Sequence, residues 1–155
     1  MGDQSEILAK RTKTAFRQEC AVSAVIAAPP DRIWRLLTDT SNMVSWNSTL
    51  TSIEGNVELG GTVKMQVPEA PGRVFAIKVS ELTPNREMVW TQGMRGVFLG
   101  VRTYRLTPKS NQTTLYEMIE VFSGVMLTMI AGRLPDFKPI FERYAADVKK
   151  AAEGS

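Results

Sequence analysis

The stretch PPDRIWRLLTDTSNMVSWN, residues 29–47, decides how this chain reads. Pro29-Pro30 ends the segment before it, and a proline at the first helical position loses no hydrogen bond, because that N–H would have no partner. Asp31 suits the positive end of a helix dipole. Ile33, Trp34, Leu36 and Leu37 then form one apolar stripe. Asp39 to Asn42 can cap a second short helix that brings in Met43, Val44 and Trp46. Two of the three tryptophans thus fall in two small helices. They read as wedges: Trp34 anchors the first helix to a core, and Trp46 closes the second onto a sheet or edges the mouth of a cavity.

Before this stretch, Cys20, Val22, Ala24 and Ile26 alternate with Glu19, Ala21 and Ser23, as in a strand with one buried face. After it the chain meanders. Leu50–Glu54 is a short strand, Gly60-Gly61 a turn, and Val63, Met65 and Val67 alternate behind it. Phe75, Ile77 and Val79 share a strand face, and Pro84-Asn85 turns the chain into Met88–Gln92. Phe98, Arg102, Tyr104 and Leu106 share the next face, and Leu115–Phe122 returns after a polar loop. Short turns between consecutive strands imply antiparallel pairing. The last third steps by three or four through Met126, Ile130, Leu134, Phe137, Phe141, Tyr144 and Val148, which is a helical stripe broken at Pro135. A short helix to about Gly132 and a long one from about Pro135 to Ala152 are expected.

The expected fold class is therefore α+β. A curved antiparallel sheet of about seven strands wraps around a long C-terminal helix, with two small helices after the first strand. Where sheet and helix do not touch, a cavity remains. Residues 1–15 are polar and read as a flexible segment, followed by a single domain over residues 16–153. The chain's 155 residues suit one core.

Composition narrows the chemistry. There is no histidine, so no imidazole base and no Ser-His-Asp arrangement is available. With a single cysteine besides, no metal site and no cofactor is expected. Neither phosphate-binding glycine motif occurs. A lone Cys20 cannot form an internal disulfide, which points to the cytoplasm. The N-terminal residues lack the apolar core of a signal peptide, and Glu6 stands where a myristoylation site wants Ser or Thr. No apolar run reaches the roughly 18 residues of a membrane span, so no stable membrane insertion is expected. The net charge of +3 is not gathered into a basic stripe with exposed aromatics, which argues against nucleic acid as a partner. A monomer or homodimer is expected.

Several stretches resemble one family. Ala28-Pro29-Pro30-Asp31-Arg32-Ile33-Trp34 with Leu37 and Asp39 is similar to the opening motif of the SRPBCC superfamily, the START and Bet v 1-like helix-grip fold. Ser45-Trp46-Asn47, Leu59-Gly60-Gly61 and Leu82 to Trp90 resemble later motifs, as does the closing pair Gly100 to Leu106 and Thr114 to Gly124, with Glu120 and Gly124 at the usual places. The match covers about residues 18–152 and favours the bacterial polyketide cyclase/dehydrase-like group. The resemblance implies a helix-grip fold. Its members include lipid and hormone binders, aromatic polyketide cyclases, proteins that sequester toxic natural products and chaperone co-factors, so the site must decide function.

The constellation with most chemistry is Arg102 with Glu120. Strand parity turns both toward the concavity, opposite or diagonal on neighbouring strands. They read either as a structural ion pair or as an anchor for a ligand oxygen with an orienting carboxylate or base. Tyr104 and Tyr116 are candidates to donate a hydrogen bond, or else pack in the core. Phe75, Ile77, Trp90 and Phe98 from the sheet, with Ile130, Phe137 and Phe141 from the helical third, are candidate lining. So are Met88, Met118, Met126 and Met129, which with Met65 would suit an adaptable apolar ligand. The first function read from this pattern is binding of a small, largely hydrophobic molecule, a lipid, polyketide or other aromatic. The alternatives are a cyclase or dehydratase using Arg102, Glu120, Tyr104 and Tyr116, and a protein-interaction or chaperone co-factor module, which would show an exposed apolar patch.

Overall fold

The computed structural model describes residues 7–154. Among the described residues, one antiparallel sheet contains every strand. In chain order these are β1 (Leu8–Lys13), β2 (Arg17–Ile26), β3 (Ser52–Glu54), β4 (Thr62–Gln66), β5 (Phe75–Thr83), β6 (Glu87–Met94), β7 (Phe98–Pro108) and β8 (Thr114–Ser123). Their spatial order is β1-β2-β8-β7-β6-β5-β4-β3. The helices are α1 (Pro30–Thr38), α2 (Thr40–Trp46), α3 (Leu127–Ile130), a 3-10 turn at Ala131–Arg133, and α4 (Phe137–Glu153). The α+β helix-grip arrangement read from the sequence is present.

The period-two pattern forms the strands for the expected reason. β8 alternates buried and half-buried residues along its whole length, and β2 does nearly the same. Their inward residues meet α4, which buries Phe141, Tyr144, Ala145, Val148 and Ala152. α1 starts at Pro29-Pro30 and buries Ile33, Trp34 and Leu37. Each such side chain contributes about 1.5–3 kcal/mol by leaving water. Trp34 is the wedge the sequence suggested. Trp46 lies edge-on to Tyr144, 6.3 Å between centroids, and faces a shallow hollow with Arg32 and Leu36 rather than the main cavity. Polar contacts fix the C-terminal half of α4. Ala27 N–H and Lys149 Nζ both donate to Glu153 Oε2 at 2.7 Å, and Ser48 donates twice to Asp147.

The eighth strand is the difference from the sequence reading. Leu8–Lys13 was expected to be loose, yet it pairs along its length with Gln18–Ser23. Its side chains are nearly all exposed, so no hydrophobic period marks it. Backbone hydrogen bonds to β2 hold it, and Arg11 reaches Asp136 at the start of α4 at 2.8 Å. That ion pair is exposed and adds little.

The end of β8 depends on a close backbone approach. Gly124 has φ +120, and a Cβ there would lie 2.3 Å from the Val97 carbonyl oxygen. Gly96 also has positive φ (+86) but open space around it. Gly124→Ala is therefore expected to lower the unfolding free energy by about 1–3 kcal/mol, and by more than Gly96→Ala. Urea unfolding of the two variants checks this, and equal losses would contradict the clash.

Candidate functional site

A cavity of about 460 Å³ lies between the concave sheet and the N-terminal half of α4. Its sheet wall is built by Phe75 and Ile77 from β5, Trp90 from β6 and Phe98 from β7. Phe137, Ile140 and Tyr144 face them from α4. The size falls in the range of small-molecule sites, and the walls are mostly apolar. The rim is charged. Arg73 sits over the Phe75 ring at 4.9 Å, Glu69 pairs with Arg143 at 3.7 Å, and Arg133 closes another side.

One charge pair breaks the apolar wall. Arg102 and Glu120 are direct cross-strand partners in the β7–β8 register. Arg102 Nε and Nη2 both donate to Glu120 Oε1, at 3.0 and 2.6 Å. Nη1 makes a longer 3.4 Å contact with the Tyr104 hydroxyl, which lies 3.1 Å from the Tyr144 hydroxyl. The guanidinium rests on aromatic rings, 5.2 Å from the Phe141 centroid and 5.8 Å from that of Tyr144. Burial works against the Arg102 charge, but Glu120 and the tyrosine oxygens more than offset it, and the pKa is raised well above the usual range. Arg102 therefore stays cationic. A guanidinium carries five N–H groups. Three are engaged by the described residues, which leaves one on Nη1 and one on Nη2 for a ligand.

Tyr144 and Tyr116 have pKa values pushed well above the ordinary value, first by burial. Both stay protonated and act as hydroxyls, not phenolates. Trp90 Nε1 and Asn47 Nδ2 are buried without an acceptor among the described residues. No group of His, Cys, Asp and Glu among the described residues could hold a metal ion.

The candidates from the sequence fall into three sets. Phe75, Ile77, Trp90, Phe98, Arg102, Glu120, Ile130 and Phe137 line the cavity. Met88, Tyr104, Tyr116, Met118 and Phe141 are buried behind that lining. Tyr116 donates to the Met118 sulfur at 3.5 Å, and Phe141 serves as the platform for Arg102. Met126 and Met129 point to solvent, and Met129 is 74% exposed. The reason is that α3 is a single turn that buries only Leu127, so the helical stripe does not continue through it. A methionine lining is thus not present: of the five methionines, only Met65 reaches the cavity. Sequence reading missed Tyr144, Ile140 and Phe122 as lining, and the rim residues Arg73 and Arg133. Tyr144 stands in the helical stripe, but no pattern marks loop arginines as rim groups.

Two expected outcomes test this geometry. Arg102→Met leaves the Glu120 carboxylate buried without its partner and should cost about 3–5 kcal/mol in urea unfolding. Adding Glu120→Leu should restore most of that loss; no recovery would show that the two groups are not coupled. The second concerns Cys20, the β2 residue opposite Glu120. Burial first, then the carboxylates of Asp136 and Glu120, push its thiol from 9.0 up to about 11. The folded state thus holds the proton more tightly than the unfolded chain. Its contribution is complete below pH 9 and is lost as pH rises to about 11. Stability should fall more steeply across that window in the wild type than in Cys20→Ala.

Comparison with known proteins agrees with this architecture. The fold matches CalU16 from Micromonospora echinospora (TM-score 0.66, 16% identity, covering 100% of this chain and 79% of that one). It also matches truncated norcoclaurine synthase from Thalictrum flavum (TM-score 0.64, 14% identity, 96% of each chain). NE0264 from Nitrosomonas europaea aligns at TM-score 0.66 and 16% identity, over 90% of this chain and 96% of that one. At these identities the likeness concerns the fold. No curated protein matches in sequence. The family described as polyketide cyclase / dehydrase and lipid transport matches residues 17–153, nearly all of the chain. By that match, and by the Bet v 1-like fold it shares with these structures, the chain belongs to the polyketide cyclase/dehydrase and lipid transport family of the SRPBCC superfamily.

Proposed function

We propose that this protein binds one small, largely apolar molecule in the cavity, with Arg102 meeting an electron-rich oxygen of that molecule. The observation that carries this reading is a mostly apolar cavity of about 460 Å³ with one arginine on its wall that keeps two N–H groups free. A charged donor in apolar surroundings favours a carboxylate, phenolate, enolate or polarised carbonyl. A lipid, a polyketide or another aromatic fits the description. Binding needs no metal or cofactor, and a cytoplasmic monomer or homodimer suits it.

A second reading is a cyclase or dehydratase. The chain from Arg102 through Tyr104 to Tyr144 favours it, because it aligns a cation and two hydroxyls beside the Glu120 carboxylate. Arg102 would stabilise a developing enolate and Glu120 would take a proton. Against this, Glu120 Oε1 already accepts two bonds from Arg102, which weakens it as a base.

Native mass spectrometry of the purified chain, with fluorescence titration by fatty acids, aromatic polyketides and quinones, separates these readings. Trp90 on the wall should report occupancy. The binding reading expects saturation at one molecule per chain and about tenfold or weaker affinity in Arg102→Met/Glu120→Leu, equivalent to about 1.4 kcal/mol. No saturable response to any of these ligands would overturn it. Turnover of a bound polyketide that disappears in Glu120→Gln would favour the enzyme.

A further inference from the structure

Six of the eleven large apolar side chains exposed among the described residues gather at one end of the molecule. They are Phe16, Met94, Val97, Val125, Met126 and Met129, with Met94 66% and Val125 61% exposed. They come from three separate segments that the backbone clips together. Gly124 N–H donates to Phe16 O at 3.2 Å, Val125 N–H to Gly96 O at 3.2 Å, and Met126 N–H to Val97 O at 2.9 Å. Within the β6–β7 hairpin tip, Val97 N–H donates to Met94 O. These bonds satisfy amides that an apolar surrounding would otherwise penalise.

The segments that form this patch carry charge of one sign. Residues 13–17, 92–98 and 123–134 contain Lys13, Arg17, Arg95 and Arg133, and no Asp or Glu. Arg17 is taken by Glu19 at 2.7 Å. Lys13, Arg95 and Arg133 remain exposed around the apolar tips. The patch also borders the cavity, because Gly93, Phe98, Ile130 and Arg133 line it from the same segments.

We propose that this end of the protein is a docking surface for an anionic lipid bilayer. The apolar tips enter the headgroup region, the three cations face lipid headgroups, and the rim of the cavity is turned toward the membrane. Charge complementarity selects this partner. A second copy is disfavoured because the segments that form the patch carry Lys13, Arg95 and Arg133 and no acidic residue of their own to meet them. The benefit of the orientation rests on the cavity reading, but vesicle binding is measured without ligand, so either can fail alone.

The experiment is sedimentation of the full chain with large vesicles, either of phosphatidylcholine alone or of equimolar phosphatidylcholine and phosphatidylglycerol. Binding to the anionic vesicles only is expected, and it should weaken as salt rises. Arg95→Glu should weaken it by about tenfold or more, the scale of a reversed charge near an anionic surface. Met94→Asp/Val125→Asp should remove it while leaving circular dichroism and ligand titration unchanged, since neither residue is buried or lines the cavity. Equal binding to both vesicle types, no binding to either, or full binding by the double variant would each overturn the proposal. So would a dimer in light scattering that Met94→Asp/Val125→Asp dissociates, which would assign the patch to a second copy.

Discussion

An ion pair in an apolar wall shapes this molecule. Arg102 and Glu120 stand opposite each other in the centre of the sheet, where neighbouring positions carry Trp90, Gly100, Tyr104 and Phe122. An aliphatic side chain from α4 packed directly on the pair would strip both charges of their remaining solvation, a cost of several kcal/mol per ion. Instead the helix offers ring faces. Phe141 and Tyr144 supply the polarisable surface that a guanidinium tolerates. The space beyond the rings stays open, and the cavity begins there.

The helix itself grades this opening. Its C-terminal half presents Ala145, Val148 and Ala152, small residues that let the backbone come close to β2. Contacts from Glu153, Lys149 and Asp147 fix that end to the strands and to the segment after α2. Its N-terminal half presents Phe137, Phe141 and Tyr144, which hold the sheet further away. Closure at one end and separation at the other follow from side-chain size along a single helix. The Polyketide cyclase/dehydrase family match covers the whole of this arrangement.

Much of this was legible in the sequence. Alternation marked β2, β5, β7 and β8 because each has one buried face, and the parity of Arg102 and Glu120 followed from the same alternation. The prolines and the apolar stripe located α1. What escaped notice lacked a periodic signal. β1 is exposed except at Ala9, so its order comes mainly from backbone pairing that side chains do not encode. Met126 opens the helical stripe and Met129 reads as lining for its side chain alone, but α3 is a single turn that buries only Leu127. Arg73 and Arg133 sit in non-repeating segments, where only the folded chain brings them to one opening.

β1 also has a protective consequence. It covers the outer edge of β2, a ten-residue strand rich in small apolar residues whose free amides and carbonyls would otherwise face solvent. Such an edge is a template for adding strands from other molecules. The outermost strand is instead LAKRTK, whose Lys10, Arg11 and Lys13 repel a second copy of themselves. A segment with few core contacts of its own thus works as a sheath at this edge, and discourages the sheet from growing there.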